Sequence, residues 1–388
     1  MNRKLRVLCF GRFCDEVPGG TQSHVESLCH SLKVSIEFVN LVPSRDRKTA
    51  IFHNGAAQVH RMAGYSVGNS VSLSWRMVLQ AVLLHRKHNF DLIHLHFPDP
   101  MSHIASWFLP SSIPRVISWH ADILRQRKLL FFYKPFLIRA LNSASAVLVA
   151  TPAHLTSSLF LPLMRDKSRL KVVPYGIDPT RFQQAGVHAQ KVTAPIVHKL
   201  NGRTLVFALG RHVYYKGFDI LIAAMAQAQD SCFLVLGGNG PLTPELKSQV
   251  KQLGLEQSVH FAGYIPNQDL PAWFSAADIF CLPSIAKTEA FGLVQLEAMA
   301  AGTPVVSTML NNGVDYVNEH ETTGLVIQPS DTNQLANALL MLADRPDLRA
   351  RMGQAGMERV KTMFSEKIMS ELTLSAYQGC LVSQRSIN

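Results

Sequence analysis

Two glutamates, Glu289 and Glu297, stand eight positions apart in TEAFGLVQLEAM (288–299), with Gly292 between them. If the whole stretch were one helix, the carboxylates would project about 80° apart and form an ordinary solvated face. The flanking sequence places them otherwise. SAADIFCLPS (275–284) is an apolar run that stops at Pro283-Ser284, the pattern of a buried strand and its exit turn. IAKTEAFG (285–292) reads as a loop. A helix then starts at Phe291 or Gly292, runs through LVQLEAMAA and stops at Gly302 and Pro304. Glu289 therefore precedes the helix, and Glu297 sits about a turn and a half inside it. Between them lie the free amides of a helix N-terminus, which attract anions. Gly292 lets a ligand approach the backbone. This pattern predicts an elongated ligand with a phosphate in its middle and a hydroxyl-bearing group near each glutamate.

The elements that would hold such a site repeat along the chain. The first half alternates strand and helix: LRVLCFG (5–11), a glycine loop and helix at 19–33, VSIEFVNLV (34–42), a helix around 72–88, DLIHLHFP (91–98), RVISWHAD (115–122) and SAVLVAT (145–151). Alternation of this kind predicts a parallel sheet covered on both faces. VVPYGIDPTRF (172–182) leads into a polar segment at 183–203, which places a domain boundary near 190. The pattern restarts with TLVFALGR (204–211), GFDILIAAMAQA (217–228) and SCFLVLGGNG (231–240). The fold class expected is α/β, with two Rossmann-like doubly wound domains, 1–190 and 191–365, facing across a cleft. A last helix within 366–388 is expected to pack back towards the N-terminal domain. Ligands of such folds sit at the carboxyl ends of the strands.

Composition narrows the class. The chain has 388 residues, 47% apolar and only 17% charged, enough for two or three domains with real cores and unlike a disordered protein. No run of 18 apolar residues predicts a membrane span, and the short apolar run after MNRK reads as a first strand. The six cysteines (9, 14, 29, 232, 281, 380) form no C-x-x-C pair, which fits a reducing cytoplasm. Residues 1–195 hold 24 Lys+Arg against 10 Asp+Glu, a charge of +14, whereas residues 196–388 hold 14 against 17, a charge of −3. The two domains should therefore meet different partners.

GRHVYYKGFD (210–219), HFAGYIPNQDLPAWFSAADIFCLPS (260–284), TEAFGLVQLEAMAAGTPVV (288–306) and TGLVI (323–327) together resemble the retaining family 4 glycosyltransferases of the GT-B fold. The resemblance covers nearly the whole chain. It implies that Glu297 binds the ribose hydroxyls of a nucleotide-sugar donor and that Glu289 contacts hydroxyls of the donor sugar. Phe291, Gly292 and Leu293 would offer amides to the diphosphate or sugar, and Gly19 and Gly20 a loop that closes on them. Arg211 and Lys216 match the pair that neutralises the leaving diphosphate, a task two fixed cations can perform without a metal. No cofactor or metal is implied, and the nucleotide-diphosphate sugar is a substrate.

His120 in SWHAD matches a histidine that faces the donor sugar in relatives, and a satisfied histidine at a strand end is the other reading. Asp122 is a candidate of the same kind. Asp178 in PYGID matches a recurrent motif at the interdomain crossing and reads as structural. His94 and His96 alternate with apolar residues in HLHFP, so one of them could line the cleft. No metal site is expected there, because no nearby carboxylate or thiolate completes one.

Retention of configuration is implied by the resemblance alone. A double displacement would need a carboxylate nucleophile, and none is placed, so Glu289 is read as positioning the sugar. The stretch 284–327 resembles bacterial O-antigen and exopolysaccharide transferases. A GDP-mannose or related GDP-sugar donor therefore ranks first and a UDP-sugar second. The acceptor expected is a lipid-linked saccharide. RQRKLLFFYKPFLIR (125–139) interleaves cations with aromatic residues, as in a segment resting on anionic lipid. A core helix with a basic flank is the equal alternative, and Pro135 should interrupt any long helix there. The location expected is cytoplasmic, peripheral at the inner face of the membrane. No nucleic-acid module is visible. A GT-B sugar-nucleotide epimerase, a dinucleotide-dependent oxidoreductase and a non-catalytic subunit are the competing classes. Charge asymmetry, the missing G-x-G-x-x-G and the retained Arg211, Lys216, Glu289 and Glu297 speak against them in turn.

Overall fold

The computed structural model describes residues 3–11, 20–44, 48–67, 71–122, 127–183 and 186–385. The chain divides into two compact units, Met1–Gly176 together with Glu366–Asn388, and Ile177–Ser365. The division falls at Gly176–Ile177 and not near 190. The segment 183–203, read from sequence as a polar linker, contains a helix that packs inside the second unit.

In the first unit, β1 (Leu5–Phe10), β2 (Ile36–Pro43), β3 (Ala50–Asn54) and β4 (Ala57–Met62) precede a small antiparallel ribbon, β5 (Tyr65–Val67) and β6 (Val71–Leu73). They are followed by β7 (Leu92–Phe97), β8 (Arg115–Trp119), β9 (Ala146–Val149) and β10 (Leu170–Val172). The main sheet runs β10-β9-β8-β7-β1-β2-β4-β3. Every neighbouring pair is parallel except the β3–β4 hairpin at the edge. The helices are α1 (Gly20–Ser31), α2 (Trp75–His88), α3 (Pro100–Trp107), α4 (Arg127–Ser143), the short α5 (Ala153–Ser157) and a terminal helix Glu366–Arg385.

Period-two alternation sorts the strand residues onto two cores. Leu8 and Phe10 of β1, Ile93, Leu95 and Phe97 of β7, and Ile117 and Trp119 of β8 pack with α2, α3 and α4. Val7 and Cys9, Leu92, and Val116 pack on the opposite face with α1 and the terminal helix. This two-sided burial explains why the strands read as nearly continuous apolar runs. Helix α4 runs through Pro135, contrary to the expected interruption. The carbonyl that loses its donor belongs to Phe131, which lies on the exposed side of the helix, where water can replace the missing N–H.

The second unit begins with α6 (Thr180–Gln183) and α7 (Gly186–Leu200). It continues through β11 (Thr204–Leu209), α8 (Phe218–Ala228), β12 (Cys232–Gly237), α9 (Thr243–Gln252), β13 (Val259–Gly263), α10 (Leu270–Ala276), β14 (Ile279–Leu282), α11 (Leu293–Ala300), β15 (Val305–Thr308) and β16 (Gly324–Ile327). Helices α6 and α7 both pack on α10. The six strands are all parallel, in the order β13-β12-β11-β14-β15-β16. The order reverses between β11 and β14, so the crevice where a doubly wound sheet receives its ligand opens at the carboxyl ends of those two strands.

Candidate active site

The loops leaving β11 and β14 carry five of the residues singled out in the sequence, Arg211, Lys216, Glu289, Phe291 and Gly292. Gly210 and Arg211 follow β11, and a single 3-10 turn, Tyr214–Lys216, brings Lys216 back over the strand end. Gly217 closes that turn in the left-handed conformation at φ 65°, and a Cβ there would stand 2.2 Å from the Pro283 carbonyl oxygen. Glycine is required on both counts, and its absence of side chain seats the β11 loop directly against the exit of β14. The Ile285 amide donates to the Tyr215 carbonyl at 2.8 Å and locks the two loops together.

Lys216 and Glu289, distant in sequence, meet here. Lys216 Nζ lies 2.6 Å from Glu289 Oε2, and both side chains are largely buried. Ser284 Oγ donates to the same carboxylate oxygen at 3.4 Å. The Glu289 backbone is held from the next loop, where Asn312 Nδ2 donates to its carbonyl at 2.7 Å. Asn312 itself is fixed by a reciprocal capping box with Asp315. Glu289 is thus a rigidly placed carboxylate that fixes an ammonium, while Arg211 stands exposed and has no ion-pair partner among the described residues.

Helix α11 starts as its sequence predicts. Gly292 is its N-cap at φ 72°, and no side chain caps the helix. A Cβ at Gly292 would lie 2.7 Å from Leu282 Cδ2, so the position is closed to side chains; the Gln295 amide donates to the Gly292 carbonyl at 2.9 Å, which leaves the Leu293 and Val294 amides at the helix start to face an anion. Phe291 is buried and packs on Phe364, and Leu293 opens the helix half-buried. Glu297 is also half-buried. Burial of its carboxyl raises the pKa from 4.5 to about 7, and the Arg181 guanidinium pulls it back down. Arg181 went unnoticed in the sequence. It follows the PYGID segment, whose Ile177 opens the second unit, and α6, which carries it, packs on α11.

The first-unit candidates are dispersed. Gly19 lies outside the described residues, and Gly20 is exposed at the start of α1. His120 follows β8 and is buried. Its Nε2 bonds His96 Nδ1 at 2.9 Å, and its Nδ1 bonds the Tyr175 hydroxyl. Asp122 is spent on structure: it accepts from Trp119 Nε1, Ser158 Oγ and the Leu159 amide. Asp178 accepts from the amide and hydroxyl of Thr180 at the head of α6.

His94 and His96 face the α1 side of the sheet, and there the structure corrects the expectation that no thiolate stands near them. Cys9 pairs with His94 across β1 and β7, and the Cys9 thiol and the ring nitrogens of both histidines lie within 4.8 Å of one another. The cluster is held in its uncharged form, a thiol beside two neutral imidazoles. Burial pushes the Cys9 thiol well up, His94 down to about 3 and His96 well below its ordinary value. Both His94 nitrogens are engaged, by Ser118 Oγ at 2.8 Å and by Tyr377 of the terminal helix at 2.7 Å. His96 uses only Nδ1, on His120, and its buried Nε2 has no hydrogen-bond partner among the described residues.

Comparison with known proteins identifies the family and the fold. Residues 18–181 match the family described as Glycosyltransferase Family 4, and residues 193–359 match Glycosyl transferases group 1. The chain is 30% identical over 372 residues to the D-rhamnosyltransferase WbpZ of Pseudomonas aeruginosa, spanning 93% of this chain and 92% of that protein. It is 28% identical over 298 residues to the O-antigen chain mannosyltransferase C of Escherichia coli, spanning 77% and 78%. Among solved structures, Anabaena Alr3699/HepE in complex with UDP superposes with a TM-score of 0.77 at 22% identity, over 96% of this chain and 100% of that one, and so shares the fold.

Proposed function

The chain belongs to the family 4, group 1 glycosyltransferases of the GT-B fold, and on that footing we propose that it moves a hexose, with retention, from a GDP-sugar of the mannose type to a lipid-linked saccharide of a bacterial surface polysaccharide. The observation that carries the reading is the grouping in the second unit of Arg211, the Lys216–Glu289 pair, the uncapped start of α11 and Glu297. The donor's diphosphate would meet the α11 amides and the two cations. Its ribose hydroxyls would bond to Glu297 and its sugar hydroxyls to Glu289.

As the glycosidic bond breaks, charge grows on the leaving diphosphate. Lys216 and Arg211 would stabilise that charge, without a metal. Glu289 is bound to Lys216 and Ser284, so it is assigned to orient the sugar and not to attack it. The acceptor hydroxyl would lose its proton to the departing phosphate on the same face of the sugar. The mannose-type donor draws on the O-antigen mannosyl and D-rhamnosyl relatives. A UDP-sugar is the second reading, favoured by the UDP bound in the Anabaena structure.

A thermal-shift panel of GDP, UDP, ADP and NAD without added metal tests the proposal. Selective stabilisation by GDP is the expected result. Selective stabilisation by UDP would transfer the proposal to the second reading, and stabilisation by NAD alone would overturn both.

A further inference from the structure

Helix α2 has two apolar faces. Met77, Val78, Ala81 and Leu84 are buried in the first core. Trp75, Leu79 and Leu83, on the opposite side, are spaced four residues apart, so they form one stripe about 80° wide. All three are exposed, Trp75 by 70%. A helix that is apolar all round is normally covered. Helix α3 packs on α2 and ends in exposed Trp107 and Phe108. The Trp107 ring meets Phe136 of α4 at 5.6 Å, and α4 adds exposed Phe131 and Phe132. All three helices cover the same face of the sheet, so these side chains point away from one common core.

The charge on this surface is of one sign. Helices α2, α3 and α4 contain no Asp or Glu, and α2 closes on His85, Arg86, Lys87 and His88. Lys134 and Arg139 stand on α4. A groove of about 500 Å3 beside Trp107 and Phe136 is lined also by Arg115 and Arg139.

We propose that the outer face of α2, α3 and α4 docks on an anionic lipid bilayer, with Trp75, Leu79, Leu83 and the α4 phenylalanines entering the interface and Arg86, Lys87, Lys134 and Arg139 meeting the headgroups. A second copy of the chain does not fit, because a two-fold contact would set this cationic face against itself. The proposal deepens the lipid-linked acceptor proposed above by naming the surface that reaches the lipid. Its test needs neither donor nor acceptor, so the two can fail separately.

The test is co-sedimentation of the full chain with vesicles of phosphatidylcholine alone and of equal parts phosphatidylcholine and phosphatidylglycerol. The expected result is binding to the anionic vesicles only, lost at high salt. Leu79→Ser/Leu83→Ser and Phe131→Ser/Phe132→Ser should each weaken binding about tenfold or more. Arg86→Glu/Lys87→Glu should weaken it by about tenfold at low salt. All six positions lie on the surface, and an unchanged melting temperature of each unliganded variant checks that it is folded. No binding to anionic vesicles would assign the face to a protein partner and overturn the proposal. Binding equal in all three variants and the parent chain would overturn it too, by placing the lipid contact elsewhere.

Discussion

Glu297 makes donor binding depend on pH in a way that can be worked out beforehand. Its carboxyl ionises at about 7 in the protein against 4.5 ordinarily, because burial disfavours the charge. A carboxyl meant to accept hydrogen bonds from two ribose hydroxyls must be ionised. With a pKa of about 7, roughly a tenth of the molecules carry the charge at pH 6 and about nine tenths at pH 8. Donor affinity should therefore rise about tenfold between those values, or about 1.4 kcal/mol. GDP-mannose is the ligand to use. Both its phosphates are esterified, so it lacks the second phosphate ionisation near pH 6 that would blur the result with GDP. Titration calorimetry at pH 6, 7 and 8, in two buffers of different ionisation enthalpy, would also detect the proton released on binding at pH 7. Glu297→Gln should bind weakly at every pH with no trend. A flat profile in the parent chain, or the same slope in the Gln variant, would refute the assignment. The stability term has the opposite sense. The folded pKa lies above the unfolded one, so the contribution of Glu297 to stability is full below pH 4.5 and is lost as pH rises to about 7.

Three further outcomes are expected. Arg211→Ala should lower the transfer rate about 100-fold or more without moving the melting temperature, because its side chain is exposed, whereas Lys216→Met should lower both by stranding Glu289 unpaired; undiminished turnover in both would remove the diphosphate assignment. Gly292→Ala should cost about 1–2 kcal/mol in urea unfolding, since φ is 72° and the new methyl would meet Leu282. Burial holds His24 at about 4 and His94 at about 3, so both stay neutral in the fold, while the unfolded chain takes up their protons below about 6.5. Their contribution should accordingly fall as pH drops, by about 4 kcal/mol at pH 5 for the two together, and a chemical-denaturation series from pH 7 to 5 on Glu297→Gln, which lacks the opposing carboxyl, that stays level would contradict this.

Much of this architecture was legible because parallel strands buried on both faces write continuous apolar runs, as LRVLCF, LIHLHF and CFLVLG do. The start of α11 was legible for a local reason, a glycine followed by a periodic helix between two strands. What escaped was either weakly patterned or non-local. The polar composition of α7 hid it, although its few buried residues, such as Ala189, suffice to seat it on α10. Edge strand β3 and its neighbour β4 have five and six residues, and β5 and β6 only three each, too few for a clear alternation. The Lys216–Glu289 pair, the Arg181 field at Glu297 and the Cys9 thiol beside His94 arise from register between strands or loops far apart in sequence, which no local window contains.

The terminal helix has a consequence for how the protein is made. It is anchored to the first unit by the Tyr377–His94 bond and by Ser27 Oγ donating to Glu366 at 2.6 Å. The first unit is thus written in two stretches, with the whole second unit spelled out between them. A ribosome must finish the second unit before it can supply the helix that seals Cys9, His94 and His96 from water. Until then the nascent first sheet waits half-clad, a natural client for chaperones. A premature stop just before codon 366 would leave every proposed donor contact encoded, yet yield a chain with an open core.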